Sequence, residues 1–249
     1  MIRKKTSLCF LALLIFLAGS AAEESAGDSK MDNKKIVYQI MWNGDNLKGE
    51  VRVNGFLITK LNGQQTTGTA PLNPWLIGEN EVQVEVYKAN RAKTADFLLG
   101  VSELGLGEIA QTNERGNLVS VEIKDRDLAG PKPVKISRQF RSTLNFSRHF
   151  LEAGATGESG VIAYAKAVYK LFEQKDVNGI MQALVVKIED YKEAFYSESM
   201  AEEFKAYLEN EILKGKLARI NPAKLKAEKV GPGKNLWHIL ESDKELIRT

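Results

Sequence analysis

The apolar residues of this chain change period twice. From residue 35 to about 128 they recur at every second position, between Val161 and Ile212 at every third or fourth, and after Pro222 at every second again. A period of two buries one face of a strand, whereas a period near 3.6 buries one stripe of a helix. The order strands, helices, strands therefore predicts an α+β chain: an N-terminal antiparallel β-sandwich, then an α+β domain of three helices followed by a β-meander.

In the first stretch Ile36, Tyr38, Ile40 and Trp42 share a strand face that Asn43-Gly44-Asp45-Asn46 is expected to end. Asn54-Gly55 lies between Glu50–Val53 and Phe56–Thr59, and this dipeptide suits a type I′ hairpin because both turn positions need positive φ. Val82, Val84 and Val86 alternate with Glu81, Gln83 and Glu85, and Val119, Val121 and Ile123 repeat the pattern. Short strands at this spacing suggest two packed antiparallel sheets over residues 35–128. Gly130, Pro131, Pro133, Gly154 and Gly157 then mark residues 129–157 as a linker, and Val134, Ile136, Phe140 and Phe150 imply that it packs between domains.

Within residues 158–249 the spacing predicts a helix with the stripe Val161, Ala165, Val168 and Phe172, joined by Tyr164 and Leu171. A second helix carries Val177, Ile180, Met181, Leu184, Val185 and Ile188, with Asp176 as its N-cap. The third runs from Met200 to about Leu213, opened by a Ser199–Glu202 capping box. Strands at Leu225–Val230, Leu236–Leu240 and Glu245–Thr249 complete the pattern.

Two resemblances follow. Leu76-Ile77-Gly78-Glu79-Asn80-Glu81-Val82-Gln83-Val84 resembles the strand entry of galactose-binding-like and immunoglobulin-like sandwiches of secreted bacterial proteins. Tyr164 to Val177, with the late hairpin Lys226 to Leu240, resembles the nuclear-transport-factor-2-like (cystatin-like) fold. The second resemblance implies helices lying in a curved sheet, and either a small-molecule lyase or isomerase pocket or a scaffold without catalysis. That fold has more long strands than this segment supplies, so its sheet would be completed by a strand near Val134–Phe140 or by a partner, unless the domain is shortened.

Residues 1–22 read as a secretory signal peptide: Arg3, Lys4 and Lys5, an apolar run from Leu8 to Leu17, and the small-residue exit Ala18-Gly19-Ser20-Ala21-Ala22. Ser20 stands where a bacterial lipoprotein box needs Cys, and the apolar run is shorter than the ~20 residues of a spanning helix. Residues 23–34 are polar and form a flexible leader. Cleavage would remove the one Cys and three of the 35 Lys and Arg, leaving 32 basic side chains against 32 acidic. A neutral, thiol-free mature chain excludes cysteine nucleophiles, disulfides and thiolate metal sites, and gives no global attraction to nucleic acid. Neutrality is only global: residues 189–211 carry eight acidic side chains against two Lys, and residues 214–234 carry seven basic ones against Glu228.

Candidate chemistry is sparse. His238 lies between Trp237 and Ile239 and can enter a cone with Asp176 as acid/base partner, although Asp176 has a sufficient role as N-cap. Two isolated histidines give no metal-ligand spacing, and Asp125 with Asp127 falls short of the oxygens a calcium ion needs, so no metal or cofactor is expected. For ligand binding, Trp75, Tyr87 and Trp237 are the candidate platforms, while Trp42 shares a face with Ile36 and Ile40 and reads as core. The sequence thus leads to a periplasmic or secreted binding or interaction protein without catalysis. Its partner would be a protein, small molecule or glycan, with no nucleic acid and no transmembrane anchor. A lyase or isomerase pocket, or carbohydrate binding by the sandwich, are the alternatives.

Overall fold

The structure, a computed structural model, describes residues 35–108, 116–146, 157–215, 220–230, 236–241 and 244–248. The expected signal peptide and leader, residues 1–34, lie outside the described residues. The chain divides into two compact units, one within Ser25–Leu151 and one containing Glu152–Thr249.

The first unit holds eight strands: β1 (Ile36–Asp45), β2 (Leu47–Val53), β3 (Phe56–Asn62), β4 (Thr66–Pro71), β5 (Ile77–Lys88), β6 (Asp96–Gly105), β7 (Val119–Ile123) and β8 (Val134–Asn145). They form two antiparallel four-stranded sheets, β4-β1-β6-β7 and β3-β2-β5-β8, an arrangement compatible with a β-sandwich. The alternation read from the sequence is what the strands bury. Tyr38, Ile40 and Trp42 of β1, Val82, Val84 and Val86 of β5, and Val119, Val121 and Ile123 of β7 are all in the core. Asn54 (φ 51°) and Gly55 (φ 83°) turn β2 into β3 as expected.

Close approach explains two glycines. Gly49 of β2 has φ 144°, and a Cβ there would lie 1.9 Å from the Glu85 carbonyl oxygen, so only glycine fits between β2 and β5. Gly68 of β4 is the register partner of Trp42, and a Cβ would stand 2.3 Å from the indole ring, so the missing side chain makes room for the tryptophan. The expected stop at Asn43 comes later, because Gly44 packs against Phe97 within β1 and the chain bends at Asn46 (φ 55°).

Four buried asparagines join the strands where the ladders end. Asn73 accepts from the Tyr38 N–H (2.8 Å) and donates to the Ile36 carbonyl (3.0 Å), standing in for a strand partner. Asn54 donates to the Trp75 carbonyl (2.7 Å) and to Asn80 Oδ1 (2.9 Å), and accepts from the Glu81 N–H (2.9 Å). Asn80 also accepts from the Ile77 N–H and donates to the Gly78 carbonyl and to Ser142 Oγ. Asn46 donates to the carbonyls of Asn90 and Thr94 and accepts from the Asn90 N–H. Asn54, Asn73 and Asn80 pair backbone groups that would otherwise lie unpartnered at the ladder ends, and Asn46 ties down the exposed β5–β6 connection.

One expectation is overturned. Residues 129–157 were expected to be a linker, yet they contain β8, which pairs along β5 from Val86↔Val134 to Ile77↔Asn145. It therefore does not complete the later sheet. Its polar, basic sequence masks the alternation because it is an edge strand whose outward positions are all wet and whose inward face is mostly only half-buried. A hydrogen bond ties it to the other sheet: the Thr143 N–H donates to the Tyr38 hydroxyl (2.9 Å), which donates to the Glu103 carboxylate.

The second unit contains α1 (Glu158–Gln174), α2 (Val177–Ala183), α3 (Val185–Phe195) and α4 (Met200–Tyr207), the last running into a π-helical turn at Leu208–Ile212. Strands β9 (Leu225–Val230), β10 (Leu236–Glu241) and β11 (Lys244–Arg248) follow as an antiparallel meander. Val161 and Ala165 of α1 pack on Leu225 and Ile239 of the meander, while Val168 and Phe172 pack on Ile180, Leu208 and Ile212. One helix thus serves two small cores.

Three helices were expected and four are described. The second expected helix breaks at Leu184 (φ −105°, ψ 9°), which turns Val185 out to 50% exposure instead of into the stripe. Asp176 caps α2 as expected, accepting from the Gly179 N–H at 2.9 Å. The Ser199 capping box does not form. Its hydroxyl donates to the Glu203 carboxylate and makes no cap bond.

Two stability outcomes follow. Asn80→Ala is expected to cost about 2–4 kcal/mol in urea unfolding, because the Ile77 N–H and the Asn54 amide lose their partner in a dry site. A helical Gly→Ala change normally gains up to ~1 kcal/mol. Gly179→Ala is expected instead to destabilise the chain, since the new Cβ would lie 2.5 Å from Asp176 Oδ2 and 2.7 Å from Leu171 Cδ2.

Candidate functional site

The wet faces of β2, β5 and β8 meet in a groove of about 330 Å³. Register builds it from two successive rungs. Arg52, Gln83 and Ser137 lie side by side across the three strands, and Glu50, Glu85 and Lys135 form the next rung. Directly opposed residues of antiparallel strands point the same way, so six polar side chains converge on one surface. Tyr87, opposite Lys48, continues the same face beyond the second rung.

Contacts along the strands hold these groups. Arg52 Nε meets Glu50 Oε1 at 2.6 Å and Arg52 Nη1 donates to the Gly55 carbonyl at 2.9 Å, which fixes the guanidinium over the hairpin end. Lys135 pairs with Glu85 at 2.9 Å. Gln83 donates to Glu81 Oε2 at 2.8 Å, and the Ser137 hydroxyl donates to the other oxygen of the same carboxylate. Neighbouring charges of opposite sign on rigid strands give a surface that can both donate and accept. Such exposed pairs contribute only ~0–1 kcal/mol each, so they exchange readily for ligand contacts.

The residues singled out in the sequence are distributed over both units. Tyr87 is 44% exposed and lies on the groove's face of β5, two positions beyond Glu85 and outside the groove's lining. Trp75 closes the short 3₁₀ turn Asn73–Trp75, half-buried, with its ring 6.3 Å from that of Phe56. Trp237 is half-buried against the Val161–Ile239 core, with Lys229 Nζ 5.2 Å over its ring. His238 holds the register position between Glu228 and Arg248, alternating with Trp237 and Ile239. Asp176 stands ahead of α2, its carboxylate engaged as the helix cap. Trp42 is in the core as expected, with its indole N–H buried and unpartnered.

Asp125 and Asp127 were weighed as calcium ligands and have other partners. Asp125 Oδ1 accepts from Lys88 Nζ (2.6 Å) and from the Ala95 N–H (2.7 Å), pinning the β5–β6 connection to the turn after β7. Asp127 accepts from the Lys124 N–H (2.9 Å). Among the described residues no group of three or more His, Cys, Asp or Glu is placed to hold a metal ion. No helix among them is long and apolar enough to cross a membrane.

What sequence reasoning missed is the third strand of the groove. Lys135 and Ser137 fell in the expected linker, and the signal that could have found them is the alternation of Val134, Ile136 and later Phe140 with polar residues. No family model, curated protein or solved structure matches the chain.

The Lys88 ammonium, and after it the Ala95 N–H, hold the Asp125 carboxyl below its ordinary value. A carboxyl depressed in the folded state stabilises above the unfolded pKa, and that contribution is lost as pH falls through the folded one. Between pH 6 and 3 the melting temperature of the wild type should therefore fall more steeply than that of Asp125→Asn, the difference opening below about pH 4. Parallel curves would show that this pair adds nothing.

Proposed function

We propose that this is an exported envelope protein, periplasmic or secreted, that binds a ligand without catalysis through the polar face of its β3-β2-β5-β8 sheet. In this reading the first unit is a β-sandwich of the secreted bacterial kind and the second a scaffold of nuclear-transport-factor-2-like character. The observation that carries it is the pair of rungs Arg52–Gln83–Ser137 and Glu50–Glu85–Lys135, which present amide, guanidinium, hydroxyl and carboxylate groups side by side on a rigid sheet. Binding sites use a few convergent polar groups to fix a ligand's orientation.

Carbohydrate is the ligand class that a second observation favours. Tyr87 stands exposed at the end of the rungs, where an aromatic face beside hydrogen-bonding groups suits the two faces of a sugar ring. Trp75 and Trp237 are engaged in packing, so Tyr87 is the platform of this reading. The lyase or isomerase reading draws less support, because the cap occupies the carboxylate proposed to partner His238.

The test is a glycan and peptide array probed with the secreted chain, whose N-terminal sequence should begin at Glu23. A bound glycan should be held about tenfold more weakly by Arg52→Ala and by Tyr87→Ala, a loss of roughly 1.4 kcal/mol each. Binding that ignores both substitutions would overturn the groove, and turnover abolished by His238→Ala would overturn the non-catalytic reading.

A further inference from the structure

Strand β8 ends the β3-β2-β5-β8 sheet, and among the described residues no strand pairs with its far side. A row of free backbone N–H and C=O groups is a template for another chain, and proteins normally blunt such edges by shortness, proline, bulges or charged side chains, inward-pointing ones included. Its twelve residues contain neither proline nor glycine, and its register with β5 shifts only near one end, between Ile77 and Glu79. Its guard is charge of one sign, Lys135, Arg138 and Arg141 with no acidic residue from Val134 to Asn145, which repels a like-charged strand and admits an acidic one.

The three cations are not equivalent. Lys135 and Arg141 have carboxylate partners on β5, Glu85 at 2.9 Å and Glu79 at 2.5 Å. Arg138 is the register partner of Val82, a position wholly inside the core, yet Arg138 itself is exposed and donates to the carbonyl of its neighbour Ser137. Among the described residues it meets no carboxylate. Half-buried Val134 and Ile136 share the Arg138 face of the strand, opposite the outward face that carries Lys135 and Arg141. A second copy is a poor occupant: two-fold antiparallel pairing centred on β8 at Arg138 sets Arg138 against Arg138 and Lys135 against Arg141, and like charges directly opposed destabilise a ladder.

We propose that the free edge of β8 takes up an extended segment of a partner polypeptide by strand addition, with apolar side chains at alternate positions and a carboxylate set beside Arg138. Main-chain hydrogen bonds supply the affinity and the Arg138 charge selects the sequence. This surface is the sheet's edge, not its polar face, so the inference is independent of the groove.

The probes are two blocked heptapeptides, Thr-Val-Thr-Glu-Thr-Val-Thr and the same sequence with Lys in place of Glu, titrated into the full-length secreted chain and followed by amide NMR. The Glu peptide should shift the β8 amides and bind about tenfold more tightly than the Lys peptide, a preference that weakens at high salt. Arg138→Ala should abolish the preference and Arg138→Glu reverse it, with unchanged melting temperatures showing that both fold. Absence of shifts at β8, equal affinity for the two peptides, or concentration-dependent dimerisation through β8 would each overturn the proposal. A groove ligand shifts β2 and β5 as well as β8 and does not respond to Arg138→Ala, so either reading can fail alone.

Discussion

The chain of the first unit passes repeatedly between its two sheets, and every passage leaves backbone donors and acceptors outside a ladder. β1 leads to β2, β3 to β4, β4 to β5, β5 to β6 and β7 to β8, each time changing sheet. Buried backbone groups without partners cost about 1–3 kcal/mol each, enough in number to unfold a domain of ordinary stability. Asn46, Asn54, Asn73 and Asn80 answer that cost. An asparagine side chain carries one amide like that of the backbone, so it can join a ladder at its end without adding a residue to the strand. Asn54 and Asn80 go further and bond to each other, which locks the β2–β3 hairpin to the start of β5 and so fixes the register on which the groove depends.

Much of this fold could be read from the chain because alternation is a local signal. β1, the β2–β3 hairpin, β5 and β7 each have one buried and one wet face, and each shows it within a few residues. β6 is buried nearly throughout from Phe97 to Ser102, so it does not alternate. β4, Thr66–Pro71, offers little apolar surface because its work is to lay Gly68 under Trp42. β8 reads as polar because it is an edge. The asparagines were legible as turn formers and not as ladder partners, since Asn73 and Tyr38 are 35 residues apart and nothing local links them. In the second unit the stripe was right, but the break at Leu184 depends on how α2 and α3 share Met181 and Leu184 between two cores.

The candidate site was legible in the same uneven way. Glu50, Arg52, Gln83 and Glu85 are visible as wet faces, and Tyr87 as an outward aromatic. Their assembly is a matter of register, which sequence does not display. Once β2, β5 and β8 are aligned, unremarkable surface residues become two ordered rungs. The tryptophans show the opposite case. Trp42 and Trp75 are prominent in the sequence, yet one fills the space over Gly68 and the other leans on Phe56. A large apolar ring contributes most where it leaves water, so prominence in sequence is a weaker guide to binding than exposure on a fixed strand.

Charge in the second unit follows a related logic. Acidic side chains crowd α3 and α4, and Lys192 sits among them. Its ammonium meets Glu198 at 2.7 Å, and this bond first, then the nearby Glu189 and Glu202, raise its pKa. On the basic side, Lys229 lies over the Trp237 ring and Lys214 donates to Asn210. The contacts of these cations are thus local, made to neighbours on the same element or on the adjoining strand or turn. The acidic and basic blocks of the sequence therefore differ in sign although the chain's net charge is only +3, and any field they set up decays over a Debye length of ~10 Å. Net charge governs attraction at long range, but a partner arriving at the surface meets the local charges, so an ion pair such as Lys192–Glu198 counts for more there than the total does.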